Sequence, residues 1–104
     1  MDVVYYSNEI KAFIADLELD SRSKITRAVD LLKTYEYRLS MPHSRRIAPE
    51  LYELRVRGAD ELRLFYTFVQ KKAVLLLGYR KKTQKTPKSI LDLAQKRCSS
   101  LTSI

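Results

Sequence analysis

The sequence predicts an α+β fold in which helices pack on one face of a small, mainly antiparallel sheet, and two observations predict it. Apolar side chains recur at helical spacing near both ends of the chain and at alternate positions between residues 51 and 69. The elements follow in the order strand, two helices, three strands, helix, which is typical of an α+β arrangement. Because 104 residues is the usual size of one domain, residues 1–104 are predicted to form a single domain.

An N-terminal helical hairpin is predicted after a first short strand. Residues 3–6 are a β-branched and aromatic run that ends at Ser7 and Asn8, a pair that stops a strand and caps a helix. The first helix has one apolar stripe, formed by Ile10, Phe13, Ile14 and Leu17. The second begins after residues 20–21, and its stripe comprises Ile25, Ala28, Val29, Leu32, Tyr35 and Leu39. The two helices are expected to pack as a hairpin on one face of the sheet.

Three strands and a final helix are predicted in the second half. Residues 40–49, which contain two prolines, are predicted to be an ordered basic loop. Residues 51–57 and 61–69 alternate between apolar and polar side chains around a tight connection. Residues 73–79 are apolar almost throughout, as in a central strand covered on both faces. Thr86 suits an N-cap and Pro87 a first helical position, so the C-terminal helix is predicted to begin there.

Cysteine usage and hydropathy indicate the compartment. Cys98 is the single cysteine and lies on the apolar stripe of the last helix, so it is predicted to be a core residue and no internal disulfide can form. The N-terminus has neither the basic nor the apolar region of a signal peptide, and the longest apolar run, residues 73–77, is far too short to cross a membrane. We therefore expect a cytoplasmic protein with no membrane partner.

Basic charge is concentrated outside the N-terminal segment. The net charge is +8, but residues 1–20 carry −4, so the other 84 residues carry +12. Such a field attracts polyanions and favours a nucleic-acid partner, although basic surface also serves solubility.

The alternation of the two hairpin strands predicts a basic groove. If helices cover the face that carries Tyr52 and Leu54, the open face presents Glu53, Arg55, Arg57 and Arg63. Arg63 lies between two leucines in mid-strand, so its side chain must point away from theirs, and its replacement is expected to leave folding unchanged. The alternative is a solvated strand arginine paired with Glu53 or Glu61.

A second basic segment follows the central strand. Residues 79–88 contain five basic residues and one aromatic side chain but no acid, which suits a phosphate backbone and a stacked base. The alternative is a basic loop that leads into a helix. His43 is the single histidine, and a lone loop histidine is typically solvated.

Familiar metal and phosphate motifs are absent from the sequence. It contains no glycine-rich phosphate loop, no nucleophile elbow, no paired-histidine motif and no carboxylate cluster for magnesium. This disfavours a metal-dependent nuclease, and no cofactor or metal ligand is predicted. A metal-free ribonuclease stays open, because the 2′-OH of RNA attacks the adjacent phosphate when cations stabilise the developing charge.

Four segments resemble a known family. Residues 51–55 (LYELR), 62–66 (LRLFY), 75–79 (LLLGY) and above all 81–87 (KKTQKTP) resemble the HigB-like, phage-derived branch of the RelE toxin superfamily. The similarity covers about residues 50–90. It implies a RelE-like fold and an mRNA endoribonuclease that usually acts on translating ribosomes and inhibits translation. It also implies a cognate antitoxin as partner, often one with a helix-turn-helix domain.

The resemblance carries over residue by residue. Arg63 matches the strand arginine that contacts the scissile phosphate, Arg55 a basic position on the neighbouring strand, and Tyr79 an aromatic position. The candidate catalytic residues are Arg63, Arg55, Tyr79, Arg80, Lys82 and Glu53, and the candidate RNA-binding residues are Arg57, Lys81, Lys85, Arg45 and Arg46. Many relatives have a histidine where this chain has Leu77. Glu53 and Tyr79 are its local substitutes in proton transfer.

Two other classes of function stay open. One is a toxin of the same fold that binds a protein target such as DNA gyrase, as ParE relatives do, and the other is a non-catalytic nucleic-acid-binding module. The strand arginine and the cations after the central strand favour the ribonuclease, because a protein-binding surface does not need several phosphate-suited cations around one groove.

Overall fold

The computed structural model describes residues 1–102 and confirms the α+β class. Five strands form one sheet in the order β1-β5-β4-β3-β2, in which β1 runs parallel to β5 and all other neighbours are antiparallel. The elements are β1 (Asp2–Tyr5), α1 (Asn8–Ala15), α2 (Leu19–Tyr35), a 3₁₀ turn (Glu36–Arg38), β2 (Ser44–Ala48), β3 (Leu51–Val56), β4 (Glu61–Val69), β5 (Lys72–Lys81) and α3 (Lys88–Thr102).

The predicted helical hairpin lies on one face of the sheet, hereafter the hairpin face. Ile10 of α1 and Leu32 of α2 are fully buried against apolar side chains of the three long strands. The buried strand side chains of this face are Leu54, Val56, Leu62, Leu64, Tyr66, Ala73 and Leu75. The alternation of residues 51–57 and 61–69 therefore gave the correct inner face for both strands.

The C-terminal helix packs on the opposite face, hereafter the α3 face, so the expectation that all helices share one face is wrong. Phe65, Leu76 and Leu77 point to this side and pack with Ala94 and Cys98 of α3. An uncovered sheet face with these side chains would expose a large apolar patch, which α3 removes from water. Cys98 is buried, as predicted, and burial raises the pKa of its thiol.

Arg97 fastens α3 to the rest of the protein. Its Nη1 donates a hydrogen bond to the carbonyl oxygen of Leu76 at 2.7 Å, and its Nη2 lies 2.6 Å from Oε2 of Glu9. The guanidinium also lies over the ring of Tyr6, 5.3 Å from its centroid. One side chain thus connects α3 to β5, α1 and the segment that follows β1.

The basic segment 40–49 is not a loop throughout, because Ser44–Ala48 form β2 at the edge of the sheet. Pro42 and Pro49 lie outside this strand, so neither ring removes a donor from its pairing with β3. A register shift between Arg46 and Ala48 makes the strand irregular. The hydroxyl group of Ser44 in this strand and that of Tyr66 in β4 form a buried hydrogen bond with each other. Burial raises the pKa of the Tyr66 hydroxyl.

An extra residue in β5 decides which way the end of this strand faces. Leu75 lies opposite Tyr66 while Leu77 lies opposite Phe65, so Leu76 is inserted as a β-bulge. The insertion reverses the alternation beyond it. Tyr79 consequently falls on the α3 face and Arg80 on the hairpin face.

Gly78 lets α1 approach β5, and replacing it with alanine is expected to lower the free energy of unfolding by about 1–3 kcal/mol. A Cβ atom at this position would lie 2.4 Å from Cδ2 of Phe13, so the ring or the helix must move. Gly58→Ala is the matched control, because its Cβ would meet only the flexible end of Lys24. Chemical denaturation measures both, and equal effects for the two variants would contradict the proposed steric conflict.

Candidate functional site

A row of three side chains crosses the sheet at the end that α3 leaves uncovered. Arg55 of β3 lies opposite Arg63 of β4, which in turn lies opposite Tyr79 of β5. Residues that are paired in register point to the same face, so all three belong to the α3 face. The open end of this face therefore carries two arginines and an aromatic ring on adjacent strands.

A cavity of about 540 Å³, hereafter the basic groove, lies over this end of the sheet. Its lining residues come from the ends of β3, β4 and β5 and from the segment after β5, and they are Arg55, Arg57, Glu61, Arg63, Lys81, Lys82, Thr83 and Gln84. Five of the eight are cations and one is a carboxylate, which gives the groove a strong positive potential. This arrangement suits the binding of phosphate groups.

Arg63 was expected to lie on an open surface, but this expectation is wrong. The residue is only 2% exposed. Its Nη1 donates to the carbonyl oxygen of Leu62 at 3.0 Å and to Oε2 of Glu61 at 3.1 Å, and its Nε lies 3.7 Å from Oε1 of Glu53. The alternative of pairing with Glu53 or Glu61 is thus confirmed for both residues, although the arginine is not solvated. Removing one partner of a buried ion pair destabilises a protein. Arg63 therefore stabilises the fold in addition to lining the groove.

Glu53 holds the two opposed arginines together. Its Oε1 lies 3.8 Å from Nε of Arg55 and 3.7 Å from Nε of Arg63. Like charges placed directly opposite each other on neighbouring strands repel, and the carboxylate between them offsets this repulsion. Glu53 is only 8% exposed and does not line the groove. The structure therefore places it beside the cavity as an ion-pair partner of two lining residues.

The last strand divides its candidate residues between the two faces. Lys81 and Lys82 line the groove together with Arg57. Tyr79 is partly buried and packs against the apolar cluster below α3. Arg80 lies on the hairpin face, where its Nη2 is 3.7 Å from Oδ2 of Asp60. The bulge in β5 thus decides that Arg80 faces the hairpin side and Lys81 the groove, while Lys82 borders both the groove and the cavity beside Arg80.

The remaining candidates lie outside the groove. Arg45 is exposed and opposite Glu53 on β2, one strand farther out. Arg46 is also exposed and donates to the carbonyl oxygens of Ala48 and Pro49. Lys85 is exposed, and its carbonyl accepts a hydrogen bond of 2.6 Å from the Thr83 hydroxyl, which orders the segment after β5. These three cations extend the positive surface without lining the cavity.

Three lining residues were not among the sequence-based candidates: Glu61, Thr83 and Gln84. Glu61 was considered only as an ion-pair partner, yet its side chain is 41% exposed at the groove. Its position at the start of β4, two residues before Arg63 and on the same face, was the available signal. Thr83 and Gln84 belong to the KKTQKTP segment and could have been included with its lysines.

The described residues contain neither a metal-binding cluster nor a membrane-spanning helix. Within residues 1–102, no group of three or more histidine, cysteine, aspartate or glutamate side chains is arranged to hold a metal ion. No helix within this range is long and apolar enough to cross a membrane.

The fold and the groove define a class: a small α+β protein with a cation-lined depression at one end of its sheet. A family model described as "Phage derived protein Gp49-like (DUF891)" matches residues 12–99, and the chain belongs to this family. The family is commonly associated with RelE/HigB-type toxins, which indicates a toxin role in a toxin–antitoxin system and an antitoxin as partner. A search of curated proteins found no match.

Proposed function

We propose that this protein is the toxin of a type II toxin–antitoxin system and cleaves mRNA on the ribosome, so that translation stops. The observation that supports this proposal most strongly is the fixed Arg63 guanidinium in a groove with four other cations. A preorganised cation at the place where phosphate charge develops stabilises a transition state without reorganisation during the reaction. The KKTQKTP segment, which supplies Lys81 and Lys82, links this groove to the HigB-like resemblance.

The proposed reaction uses the nucleophile that RNA itself carries. The 2′-oxygen bonds to the adjacent phosphorus, the bond from phosphorus to the 5′-oxygen breaks, and the leaving 5′-oxygen takes up a proton from solvent. The products are a 2′,3′-cyclic phosphate and a 5′-hydroxyl end. Arg63 and Arg55 stabilise the phosphorane charge, while Arg57, Lys81 and Lys82 hold the flanking phosphates. No bound metal takes part in this scheme.

Proton transfer is assigned to Glu61. Leu77, at the position where many relatives have a histidine, is buried in the apolar cluster below α3 and cannot titrate. Glu53 is enclosed between two arginines, whereas Glu61 lines the groove and keeps two-fifths of its side chain exposed. Reach to the reacting atoms is the first requirement for a general base. Glu61 therefore replaces Glu53 and Tyr79 as the first candidate for accepting the proton of the 2′-OH.

The proposed setting is the cytoplasm, and the proposed partner there is a cognate antitoxin. A basic groove has an electrostatic reason to accept an acidic segment of the antitoxin, and long-range attraction makes such association fast. We propose that an antitoxin with a helix-turn-helix domain inhibits the toxin by covering the lining residues.

Expression of the chain without an antitoxin is expected to arrest growth and to deplete translated mRNA, with new 5′-hydroxyl ends inside coding regions. Mapping of 5′-hydroxyl RNA ends during induction measures this directly. Lys96→Gln, a change at an exposed lysine of α3, is the matched control and should remain toxic. Intact mRNA together with lost DNA supercoiling would instead indicate a gyrase target, and intact mRNA with unchanged supercoiling would favour a non-catalytic module.

A further inference from the structure

A second cavity, hereafter the α2 pocket, lies on the hairpin side of β3 and has a volume of about 370 Å³. Its lining residues come from α2, from the segment before β2 and from the end of β3, and they are Lys24, Arg27, Ala28, Leu31, Pro42, His43, Arg55, Val56 and Arg57. Arg55 and Arg57 also line the basic groove. The two cavities therefore meet at the end of β3.

The outer edge of β3 is open where the cavities meet. β2 pairs with β3 only as far as Ser44 opposite Leu54, and the last hydrogen bond runs from the amide of Arg55 to the carbonyl oxygen of His43 at 2.8 Å. Pro42 has no amide hydrogen with which to continue the pairing. A bound chain can consequently pass from one face of the sheet to the other around this edge.

The α2 pocket combines an apolar floor with a cationic rim. Ala28, Leu31 and Val56 supply the floor, and no carboxylate is among the residues described as lining it. The rim carries Arg27 and Lys24 on one side, where Lys24 also pairs with the exposed Asp20 at 3.3 Å, and the two shared arginines on the other. A nucleotide has a flat, largely apolar base for each charged phosphate, so its chemistry matches a small apolar floor between cations.

We propose that the α2 pocket binds a nucleotide of single-stranded RNA that neighbours the segment held in the basic groove. One strand would occupy both cavities, with a base on the apolar floor and a phosphate at Lys24 and Arg27. Arg55 is the penultimate residue of β3 and Arg57 directly follows the strand. In extended backbone two residues span about 7 Å, which is of the order of the spacing between neighbouring phosphates of an extended chain. This inference rests on the proposed function for the identity of the polymer, but it concerns binding and not cleavage.

The test measures affinity for an uncleavable RNA, in which 2′-deoxy nucleotides replace the cleaved positions. For a strand of about 12 nucleotides, the variant Lys24→Gln with Arg27→Gln should bind more weakly, and the slope of log K against log salt concentration should fall by about 0.7 for the one phosphate that these two cations hold. A strand of about 4 nucleotides, which fills the groove alone, should bind the variant and the original protein equally. Lys71→Gln with Lys96→Gln is the matched control, because both lysines are exposed and line neither cavity.

Removal of the bases outside the cleaved positions tests the apolar floor. The base-free RNA should bind the original protein several-fold more weakly than the intact strand does. Removal of the bases should lower the RNA affinity of the double variant by a smaller factor. Equal binding of intact and base-free RNA would overturn the assignment of a base to the pocket. An unchanged salt slope in the double variant would overturn the second site altogether.

The outcomes separate this inference from the proposed function. If the double variant cleaves RNA and binds the strand of about 12 nucleotides with normal affinity, the proposed RNA site in the α2 pocket is wrong. The proposed ribonuclease activity is then unaffected. If the original protein does not cleave RNA but the double variant shows the expected loss of RNA affinity, the proposed ribonuclease activity is wrong. The proposed RNA site in the α2 pocket is then supported. If the double variant keeps its RNA affinity but binds polyglutamate more weakly than the original protein does, the pocket accepts an acidic peptide and the RNA assignment is wrong.

Discussion

Replacement of Arg63 by alanine is expected to lower RNA cleavage about 100-fold or more and to lower the free energy of unfolding by about 3 kcal/mol. The catalytic loss follows from the removal of a preorganised cation from the groove. The loss of stability follows from burial, because Glu53 and Glu61 lose their partner and Glu53 keeps only its 3.8 Å contact with Arg55. Cleavage assays and chemical denaturation of the purified variant measure the two effects.

Arg80→Ala is the matched control for this experiment. Arg80 belongs to the same basic set by sequence but lies on the hairpin face beside Asp60, at 44% side-chain exposure. Its removal should leave most of the cleavage and the stability unchanged, because exposed ion pairs contribute little. Near-normal cleavage by a folded Arg63→Ala protein, or an equal loss in Arg80→Ala, would refute the basic groove as the site.

Replacement of Glu53 by glutamine is expected to destabilise the protein by about 3 kcal/mol and to slow cleavage at every pH. Without the carboxylate, the opposed guanidinium groups of Arg55 and Arg63 repel each other and no longer keep their positions. Glu53 is here a positioning residue, so its loss should lower the rate without moving the acid limb of the pH profile. Glu61→Gln, by contrast, should remove that limb if Glu61 accepts the proton.

Glu50→Gln controls for the change in net charge. Glu50 is exposed in the turn before β3, and its side chain takes no part in the arginine cluster. The Glu50→Gln protein should therefore fold normally and cleave RNA at the normal rate. Added salt should partly restore the stability of Glu53→Gln, because screening weakens repulsion between the two arginines. A fully stable Glu53→Gln protein would show that the arginines do not depend on this carboxylate.

Local pattern predicted most of the secondary structure. The alternation of residues 61–69 reproduced β4 from Glu61 to Val69, and the helical stripes located α1, α2 and α3 to within a few residues. The pattern succeeded because the side-chain periods of helices and strands follow from backbone geometry alone. It failed for β2, because a short edge strand between two prolines has no period of its own and forms only by pairing with β3.

The cationic character of the site was readable in the sequence, but its assembly was not. Arg55, Arg57, Arg63, Lys81 and Lys82 were named from their spacing and from the resemblance, and all five line one cavity. The burial of Arg63 and the role of Glu53 depend on strand register, which brings side chains from β3 and β4 within ion-pair distance. Register is a property of the paired sheet and leaves little trace in any single strand.

By itself, the sequence determined the fold class, the identity of most elements and the set of cations from which the site is built. The tertiary structure alone decided which cations meet. The bulge at Leu76 reverses the faces of Tyr79 and Arg80, and α3 covers one half of its face while leaving the other open. Residues 73–79 are apolar on both sides, so no alternation marked the extra residue. The face that a side chain occupies beyond a bulge is set by pairing with the neighbouring strand, and only the folded sheet contains that information.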